Sequence, residues 1–451
     1  MLRRIEEQTL YDIIICGSGP AGLGAAVAAA ELGAKVLVLE AAGQPGGTIC
    51  AVPFMPVNRL RTENRLRSLP HETFVRHLQV LGADAVYEGP NDKINGDGFC
   101  PHPEYAEMAI YNMLDEAGAE LRLFSPVIDA EVEDGRVTAV ITREKRGLVR
   151  YQAKRFIDAT GDGDLAAAAG CAFMEGRDSE QPDEGVKMEI VHTVTVDQSA
   201  EAPVHMPITL GFSLCNMDCD RFMQWLGENS AEYQEMLKKA DEQGLYVAAW
   251  YAFNHGTAPG VMGVNNGAWR HQKLTSNGLD AADLTFARRA GLRVAADLVK
   301  IFRENRVPGA ENCALDRVGG ILGVRDTRRI AGEYVLSFAD SQKSQEFPDT
   351  IARKYGAIDA NQLFIGTMDS GFAYPYRSLI PRDVDGLLLA GRCASATFLG
   401  HSAGKSMGNM MALGCAAGAA AALSIENGME PRALDTDLLR NTLTERLSVT
   451  L

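Results

Sequence analysis

Three closely spaced glycines near the start of the chain could receive a diphosphate group. Gly17, Gly19 and Gly22 form the pattern G-x-G-x-x-G. The first permits a tight turn, the second lets the backbone approach a pyrophosphate, and the third lets a helix pack closely on a sheet. The N–H groups at the start of that helix would bind the phosphate oxygens. Pro20 and Ala21 complete the turn and belong to the same predicted site.

The residues around this turn have the order strand, helix, strand that such a site requires. Residues 11–16 are a short apolar run, an alanine-rich segment follows, and residues 35–39 form a second apolar run. Glu40 ends the second run, at the distance of about 20 residues where a carboxylate accepts hydrogen bonds from ribose hydroxyls. A glycine turn that arose by chance would lack these neighbours, so the segment predicts a dinucleotide site.

Three more segments bear on the choice between FAD and NAD. Gly46-Gly47-Thr48 follows Glu40, ATGD occupies residues 159–162, and AGR occupies residues 390–392, the last two after apolar runs. In this order they resemble flavoproteins of the glutathione-reductase-like superfamily, in which the first loop passes along the flavin. The resemblance implies FAD, and it assigns to the cofactor site Gly47, Thr48, Asp162, Gly391 and Arg392.

Longer segments point to a narrower family. They are DATGDGDLAAAAG at residues 158–170, LGVRDTRRIAGEY at 322–334 and YPYRSLIPRDVDGLLLAGR at 374–392. Together they resemble the bacterial FAD-dependent oxidoreductases, which are distantly similar to the flavoproteins of fumarate reductase and succinate dehydrogenase. The resemblance implies redox chemistry with FAD and names no substrate. We expect the FAD to be bound non-covalently rather than covalently.

The segments predict an α/β fold, in which a Rossmann-like FAD-binding domain with a parallel sheet and helices is assembled from discontinuous pieces. These pieces are residues 1–58, 100–175 and 320–430; an inserted α+β substrate domain comprises 59–99 and 176–319, and 431–451 form a C-terminal helical tail. Within the middle piece, the apolar spacing of residues 103–121 predicts a helix, and the Asp-Gly turn of residues 133–136 predicts a hairpin. No second glycine-rich strand–helix unit occurs, so any NAD(P)H would enter the substrate pocket directly.

Polar residues just after AGR could supply catalytic groups. His401 and Lys405 precede an uncharged helical segment whose dipole adds positive potential at the flavin edge. Gly408 and Asn409 are predicted to contact the cofactor there. The resemblance implies an arginine at position 405; the lysine keeps the charge and loses the planar fork. Alternatively, His401 is a loop histidine bonded to backbone and Lys405 is a solvated residue before the helix.

Arg325 is a further candidate catalytic residue. If residues 325–329 were helical, Arg325 would share a face with Arg328 or Arg329, and the guanidiniums would bind a carboxylate or phosphate. The alternative is a salt-bridged helix with Asp326 and Glu333.

Tyr376 is the last candidate catalytic residue. It and Tyr374 flank Pro375, and either hydroxyl could donate a proton to the substrate. The alternative is a packed aromatic residue whose hydroxyl bonds within the protein.

The uncharged stretch at residues 407–425 is long enough to cross a membrane. Its many alanines and glycines make it weakly apolar, and no second such stretch accompanies it. Small residues instead let a helix lie against a sheet, another backbone or a cofactor. We expect a buried structural helix whose beginning, residues 401–409, lies at the redox edge of the flavin.

The composition limits the other function classes. A net charge of -15 argues against a nucleic-acid or anionic-membrane partner. The nine cysteines lack C-x-x-C spacing, which favours free thiols in a reducing cytoplasm, and the histidines lack metal-ligand spacing. The first residues do not have the pattern of a signal peptide, so we expect a cytoplasmic protein. We also expect no bound metal, and the protein could form a homo-oligomer.

Two features near the Gly-Gly-Thr loop each have a structural and a functional interpretation. Cys50 could contact the flavin or bond to it, or it could be an ordinary buried thiol. Residues 58–67 carry four arginines. They could form a solvated face, or they could rim the pocket and attract an anionic substrate.

The function expected from these residues is hydride transfer between flavin N5 and a small polar substrate that is hydroxylated, sugar-like or carboxylate-bearing. The alternatives are a flavoprotein oxidase or monooxygenase, and an electron-transfer subunit that works with a separate partner protein. In the last case electrons would have to leave for that partner, because iron–sulfur cysteine spacing is absent. A non-redox FAD-binding scaffold is the remaining alternative.

Overall fold

The computed structural model describes residues 4–7, 9–62, 65–82, 85–87, 100–176, 205–273, 276–342, 345–355, 358–360, 363–365, 371–402 and 404–451. The strands are β1 (Arg4–Glu6), β2 (Tyr11–Cys16), β3 (Val36–Leu39), β4 (Arg61–Thr62), β5 (Arg65–Leu66), β6 (Val86–Tyr87), β7 (Cys100–Pro101), β8 (Glu120–Arg122), β9 (Val127–Glu133), β10 (Arg136–Glu144), β11 (Gly147–Asp158), β12 (Phe173–Glu175), β13 (Phe212–Cys215), β14 (Tyr251–His255), β15 (Met262–Asn266), β16 (Ala314–Val318), β17 (Arg328–Ile330), β18 (Thr350–Lys354), β19 (Ile358–Ala360), β20 (Leu363–Ile365), β21 (Phe372–Pro375) and β22 (Leu387–Leu389). The helices are α1 (Pro20–Glu31), α2 (Thr48–Ala51), α3 (Leu69–Val80), α4 (Pro103–Ala117), α5 (Asp164–Ala168), α6 (Cys219–Glu228), α7 (Ser230–Glu242), α8 (Ala281–Glu304), α9 (Phe338–Gln342), α10 (Phe398–Ser402), α11 (Met407–Glu426) and α12 (Thr436–Glu445).

The central sheet brings distant parts of the chain together. Its strands lie in the order β8-β3-β2-β11-β10-β9, and β1 and β22 also pair with β11. The neighbours β8, β3, β2, β11 and β22 run parallel, whereas β9, β10 and the first half of β11 form an antiparallel meander. The long strand β11 therefore joins a Rossmann-like parallel sheet to a meander, and the predicted α/β fold class is confirmed.

The parallel strands end together at one edge of the sheet. Cys16, the last residue of β2, is level with Leu39 of β3 and Asp158 of β11, and Asp158 is level with Leu389 of β22. Strands β2, β3 and β22 are almost entirely buried and read as short apolar runs, as buried parallel strands do. Because the carboxyl ends share an edge, the glycine turn, Glu40 and the ATGD and AGR segments all begin there.

Helices α1 and α11 pack with their backbones in contact. A Cβ atom on Gly414 would lie 1.9 Å from the carbonyl oxygen of Ala21, and one on Gly418 would lie 2.2 Å from the oxygen of Ala25. Gly24 of α1 makes the reciprocal contact with the backbone of α11. Only glycine permits so close an approach, which explains the small residues of both helices.

Helix α11 is long enough and apolar enough to cross a membrane. However, 94% of its apolar stretch is buried inside the protein. The helix contacts α1 on one side and strands β2, β11 and β22 on the other. The uncharged stretch is thus the buried structural helix that its sequence predicts.

A second hydrophobic core lies between residues 212 and 318. Strands β14, β15, β13 and β16 form an antiparallel sheet in that order, and α6, α7 and α8 contribute to the same core. The rings of Phe222, Phe253 and Phe302 pack against each other with centroid distances of 4.9 to 5.9 Å. This core falls within the segment that we propose as the substrate domain.

Two segments that the predicted boundaries place outside the FAD-binding domain pack into the first hydrophobic core, which contains the central sheet. Helix α3, within the predicted insertion 59–99, buries Phe74 and Leu78 in this core, where it contacts α1 and α4. Helix α12, in the predicted tail, buries Leu439 and Leu443 in that same core. Each helix has one apolar face, which is buried against the nearest large apolar surface.

Candidate functional site

The glycine turn leaves open space at the start of α1. Gly17 has φ +101° and donates its N–H to the carbonyl of Leu39 at 2.7 Å. A Cβ atom on Gly17 would lie 2.4 Å from the oxygen of Ala159, and one on Gly22 would lie 1.9 Å from the oxygen of Gly17. A Cβ atom on Gly19 would meet nothing within 4 Å. Gly17 and Gly22 are therefore needed by the chain itself, whereas Gly19 faces free volume.

A second glycine loop faces the first. Gly46 donates its N–H to the carbonyl of Ser18 at 3.0 Å, and a Cβ atom on Gly47 would lie 3.3 Å from the Cα of Gly19. Helix α1 begins at Pro20 with Gly19 as its N-cap and has no side-chain cap. The two glycine loops, the open space at Gly19 and the uncapped helix start form a cradle whose dipole suits a pyrophosphate.

Glu40 is held rigidly beside this cradle. One carboxylate oxygen accepts from the N–H of Ser18 at 2.8 Å and from its hydroxyl at 2.6 Å, and the other accepts from the N–H of Ala42 at 2.8 Å. A carboxylate has about four lone-pair sites, so acceptor capacity remains for ribose hydroxyls. The predicted ribose contact stays a proposal.

Asp162, Arg392 and Thr327 form a hydrogen-bonded triangle. Arg392 donates to Asp162 at 2.7 Å and to the hydroxyl of Thr327 at 2.9 Å, and Thr327 donates to Asp162 at 2.7 Å. The triangle joins the ATGD and AGR segments, as expected for turns that follow neighbouring strands. Thr327 is a member that the sequence reasoning missed, because the loop containing it lies far away in the chain.

The start of α11 meets the second glycine loop. The hydroxyl of Thr48 lies 3.5 Å from the sulfur of Met407. Gly408 donates its N–H to the carbonyl of Asn58 at 3.0 Å, and a Cβ atom on Gly408 would lie 2.2 Å from the oxygen of Arg59. A glycine at position 408 is therefore needed for the close contact with residues 58–59, whereas the sequence predicts a contact with the cofactor.

Asn409 has a fully buried side chain whose two ends both bond to protein. Its oxygen accepts from Arg67 at 2.6 Å and from the N–H of Tyr355 at 3.2 Å. Its nitrogen donates to the carbonyls of Tyr355 at 2.7 Å and Gly404 at 2.8 Å. The amide thus positions the loop before α11, and any contact with the cofactor would come from its backbone.

The arginine-rich stretch is divided between surface and interior. Arg61 and Arg65 are exposed, as a solvated face requires, and residues 63 and 64 lie outside the described ranges. Arg67 is only 2% exposed. It donates to the carbonyl of Arg59 at 3.1 Å and to that of Arg353, and its guanidinium lies 4.9 Å from the ring centre of Tyr355.

His401 is buried at the end of the short helix α10. Its Nε2 lies 3.0 Å from the carbonyl oxygen of Arg325, so Nε2–H is the donor. Burial, together with the positive charges of Lys405, Arg329 and Lys354, holds the pKa of His401 well below its ordinary value. The imidazole is therefore neutral, and it anchors the loop that carries Arg325.

The expectation that residues 325–329 are helical is wrong. Arg325 lies in a loop, and Arg328 and Arg329 begin strand β17, which pairs with β12. Arg328 bonds to Asp164 at 2.9 Å, and Arg329 pairs with Asp326 inside the protein. Successive residues of a strand point to opposite faces, so the three guanidiniums do not form one clamp.

Arg325 instead contacts the segment that carries the antiparallel sheet. It donates to the side-chain oxygen of Asn265 at 3.3 Å, and its guanidinium lies 6.0 Å from the ring centre of Trp250. Both partners belong to the segment that carries the antiparallel sheet. The side chain of Arg325 thus connects the loop held by His401 to that segment.

Lys354 was missed by the sequence reasoning. It is buried at the end of β18, with Nζ 4.8 Å from the ring centre of Tyr374. Burial and the nearby charge of Lys405 lower its pKa to about 7. Lys405 is partly buried, with Nζ 2.9 Å from the sulfur of Met206. The sequence IARKYG at residues 351–356 does not indicate whether the side chain of Lys354 points into the protein or to solvent.

Two of the predicted candidates, Tyr376 and Cys50, make contacts that favour a structural role. The buried hydroxyl of Tyr376 donates to the carbonyl of Pro431 at 2.8 Å, which gives this residue a packing role. Cys50 lies under Gly46, where a Cβ atom would be 2.5 Å from its sulfur. Burial raises the pKa of Cys50 above its ordinary value, so its thiol is protonated and poorly suited to covalent attachment.

Comparison with known proteins decides the family. The family described as FAD dependent oxidoreductase matches residues 12–443. The chain belongs to this family. FAD is thus its cofactor, and the glycine cradle fits the pyrophosphate of FAD because two glycine backbones and an uncapped helix start leave room for it.

Individual relatives match in part. Digeranylgeranylglycerophospholipid reductase 2 of Methanopyrus kandleri is 29% identical over 157 residues, which cover 34% of this chain and 37% of that protein. One of the subunits of the opine oxidase of Rhizobium meliloti is 56% identical over 95 residues, 20% of each chain. The match thus spans about two fifths or less of the length of these relatives.

Among solved structures, the geranylgeranyl bacteriochlorophyll reductase-like protein of Thermoplasma acidophilum is 15% identical, with a TM-score of 0.46. The similarity covers 97% of this chain and 91% of that one. OxyS anhydrotetracycline hydroxylase of Streptomyces rimosus is also 15% identical, with a TM-score of 0.47, and the similarity covers 97% of this chain and 66% of that one.

Proposed function

We propose that this oxidoreductase transfers a hydride between flavin N5 and a small polar substrate. The observation that carries the proposal is the contact of Thr48 with Met407. Through that contact and through Gly47, the cradle at the start of α1 neighbours the start of α11, where Lys405 lies. When bound, FAD supplies the hydride-accepting or hydride-donating centre.

Arg325 and Lys405 are proposed to bind the substrate. Arg325 lies beside Asn265 and Trp250, so the segment that carries the antiparallel sheet would contribute a polar and an aromatic side chain. Lys405 adds a positive charge just before the positive end of the α11 dipole. These groups favour a substrate with hydroxyls or a carboxylate, and hydroxy acids and sugar acids have both.

His401 is proposed to orient the Arg325 loop. Its imidazole is neutral and its Nε2–H is bonded to the carbonyl of Arg325, so its contribution is geometric rather than ionic. Loss of this bond would displace Arg325, and a displacement of about 1 Å can lower a rate about a hundredfold.

Electron transfer to a partner protein is the second candidate function. The observation that favours it is the 56% identity with a segment of the Rhizobium meliloti opine oxidase, whose name implies that more than one kind of chain makes up that enzyme. In that case the present chain would pass electrons from its flavin to another protein. Flavin reduction by substrate would then be fast, and steady turnover would require the partner.

Anaerobic bleaching of the flavin-loaded protein tests these functions. Hydroxy acids, sugars, sugar acids, enoates and NAD(P)H are mixed separately with the protein, and loss of flavin absorbance is followed. We expect bleaching by one substrate class, slowed about tenfold or more in Arg325→Lys. Arg289→Lys, on the exposed face of α8, is the matched control.

The outcomes separate the candidates. Bleaching followed by rapid reoxidation in air with peroxide release would identify an oxidase. Bleaching without turnover on soluble electron acceptors would favour electron transfer to a partner protein. No bleaching by any of these substrates would contradict hydride transfer to a small molecule.

A further inference from the structure

The buried guanidinium of Arg67 is hydrogen-bonded to neutral groups. Its hydrogen bonds go to the carbonyls of Arg59 and Arg353 and to the amide oxygen of Asn409, and its face lies over the ring of Tyr355. Within the described ranges, no carboxylate pairs with Arg67. Buried guanidiniums are costly without an anion and are nearly always paired, so this arrangement needs an explanation.

The neutral partners of Arg67 surround the start of α11. Asn409 lies in the first turn of that helix, and residue 59 contacts Gly408 through its backbone. His71, which bonds to the carbonyl of Gly408 at 2.9 Å, has its pKa lowered to about 3 by burial and by the charge of Arg67. The positive potential of Arg67 thus reaches the helix start.

Two lysines lie near the same place: a Cβ atom on Gly404, next to Lys405, would lie 2.9 Å from the Cβ of Lys354 and 3.0 Å from Nδ2 of Asn409. The basic cluster comprises Arg67, Lys354 and Lys405. The charge of Lys405 contributes to the low pKa of Lys354, and both lysines lower the pKa of His401. Buried like charges repel one another strongly because the local dielectric constant is low. A negative charge arriving beside the cluster would be stabilised for the same reason.

We propose that Arg67, together with Lys354, acts as a positioning residue that raises the reduction potential of bound FAD. The proposal rests on the proposed function, in which the redox edge of the flavin lies at the start of α11. Uptake of two electrons and one proton adds one negative charge to the flavin, and preorganised buried cations stabilise that charge. Through Asn409, Arg67 also fixes the loop that precedes the helix.

The test measures the midpoint potential of the flavin-loaded protein. Wild type, Arg67→Gln and Arg67→Lys are reduced slowly by dithionite without oxygen, in the presence of a reference dye. We expect a more negative potential in Arg67→Gln, with the ratio of reduced to oxidised flavin lowered about tenfold at a fixed dye potential. Arg67→Lys keeps the charge and should keep most of the potential. Arg65→Gln, exposed in the same stretch, is the control for loss of one surface charge.

A purely structural role for Arg67 predicts a different pattern. Flavin-loaded Arg67→Gln with the wild-type potential would overturn the proposal, as would equal shifts in Arg67→Gln and Arg67→Lys. If Arg67→Gln does not fold, Lys354→Met measured at pH 6 decides, because Lys354, with a pKa of about 7, is protonated there and methionine fills a similar volume without the charge. A downward shift in that variant supports the proposal, and an unchanged potential overturns it.

The potential does not depend on any substrate. A shift measured in a protein that no substrate bleaches would support this role of the basic cluster while contradicting the proposed function. If a substrate bleaches the flavin and the potentials of all variants are unchanged, the proposed function is supported and this role of the basic cluster is contradicted.

Discussion

The glycine cradle at the start of α1 and the basic cluster at the start of α11 are two ends of one proposed site, built in different ways. In the cradle, the contacts are made by backbone, and a Cβ atom on Gly17 or Gly22 would overlap a carbonyl oxygen. In the basic cluster, the contacts are made by long side chains from separate segments, with Arg67 and Asn409 bonded across the chain.

This difference predicts different responses to mutation. A backbone contact has no room for any side chain, so a substitution there is a steric failure. A charged side chain can be shortened or neutralised without overlap, so a substitution there changes electrostatic energy and hydrogen bonding and causes no steric clash. The four predictions below test this contrast in order of decreasing effect.

Gly414→Val should prevent folding. Its Cβ would lie 1.9 Å from the oxygen of Ala21, so α1 and α11 would have to separate along the core, at a cost above about 4 kcal/mol. Soluble yield and circular dichroism measure the loss. Gly227→Ala, in α6 with nothing within 4 Å of its Cβ, is the control and should be neutral or slightly stabilising. A native-like Gly414→Val would contradict the packing argument.

Gly19→Val should fold and yet lose FAD. Its side chain would enter the open space that we assign to the pyrophosphate, without overlapping any protein atom within 4 Å of the Cβ. Added FAD should raise the melting temperature of the wild type and leave that of the variant unchanged, because only bound ligand stabilises. A fully flavin-loaded variant would show that the pyrophosphate lies elsewhere.

Lys354→Met should change how stability depends on pH. The folded pKa of Lys354 is about 7, against an ordinary value of 10.5. Between these values the unfolded chain binds the proton that the folded protein lacks, so the wild-type free energy of unfolding rises with pH in this window. The variant should lose that rise and be more stable near pH 7 by a few kcal/mol. Parallel pH profiles from urea unfolding would refute the low pKa.

Tyr376→Phe should have the smallest effect. Removal of the hydroxyl breaks the bond to Pro431 and should destabilise the protein by about 1 kcal/mol. The rate of flavin reduction by substrate should not change, because the hydroxyl already donates its hydrogen bond to the buried carbonyl of Pro431. A rate loss without a stability loss would restore Tyr376 as a proton donor.

The cradle could be predicted almost completely from the sequence. Its glycines lie within one strand–turn–helix segment, and the strands next to it are plain apolar runs that the sheet confirms. Helix α4 and the hairpin between β9 and β10 were predictable for the same local reason: apolar spacing for the helix, and an Asp-Gly pair for the turn, where Asp134 and Gly135 both have positive φ.

The proposed catalytic end of the site was predicted less well. His401 and Lys405 were identified because they follow a recognisable strand, but the helical interpretation of Arg325 to Arg329 was wrong. That run has charges at helical spacing, and its pairing with β12 comes from a segment far away in the chain. Long-range pairing overrides local periodicity when a strand partner is available.

The sequence by itself determined the Rossmann-like sheet, the cofactor family and the buried helix α11. These depend on backbone freedom and on apolar runs, which are properties of neighbouring residues. Only the tertiary structure decided that Arg67 and Lys354 are inside, while Arg61 and Arg65 are outside. The reason is physical: the burial of a charged side chain depends on which distant segments fold over it, and no local pattern records that.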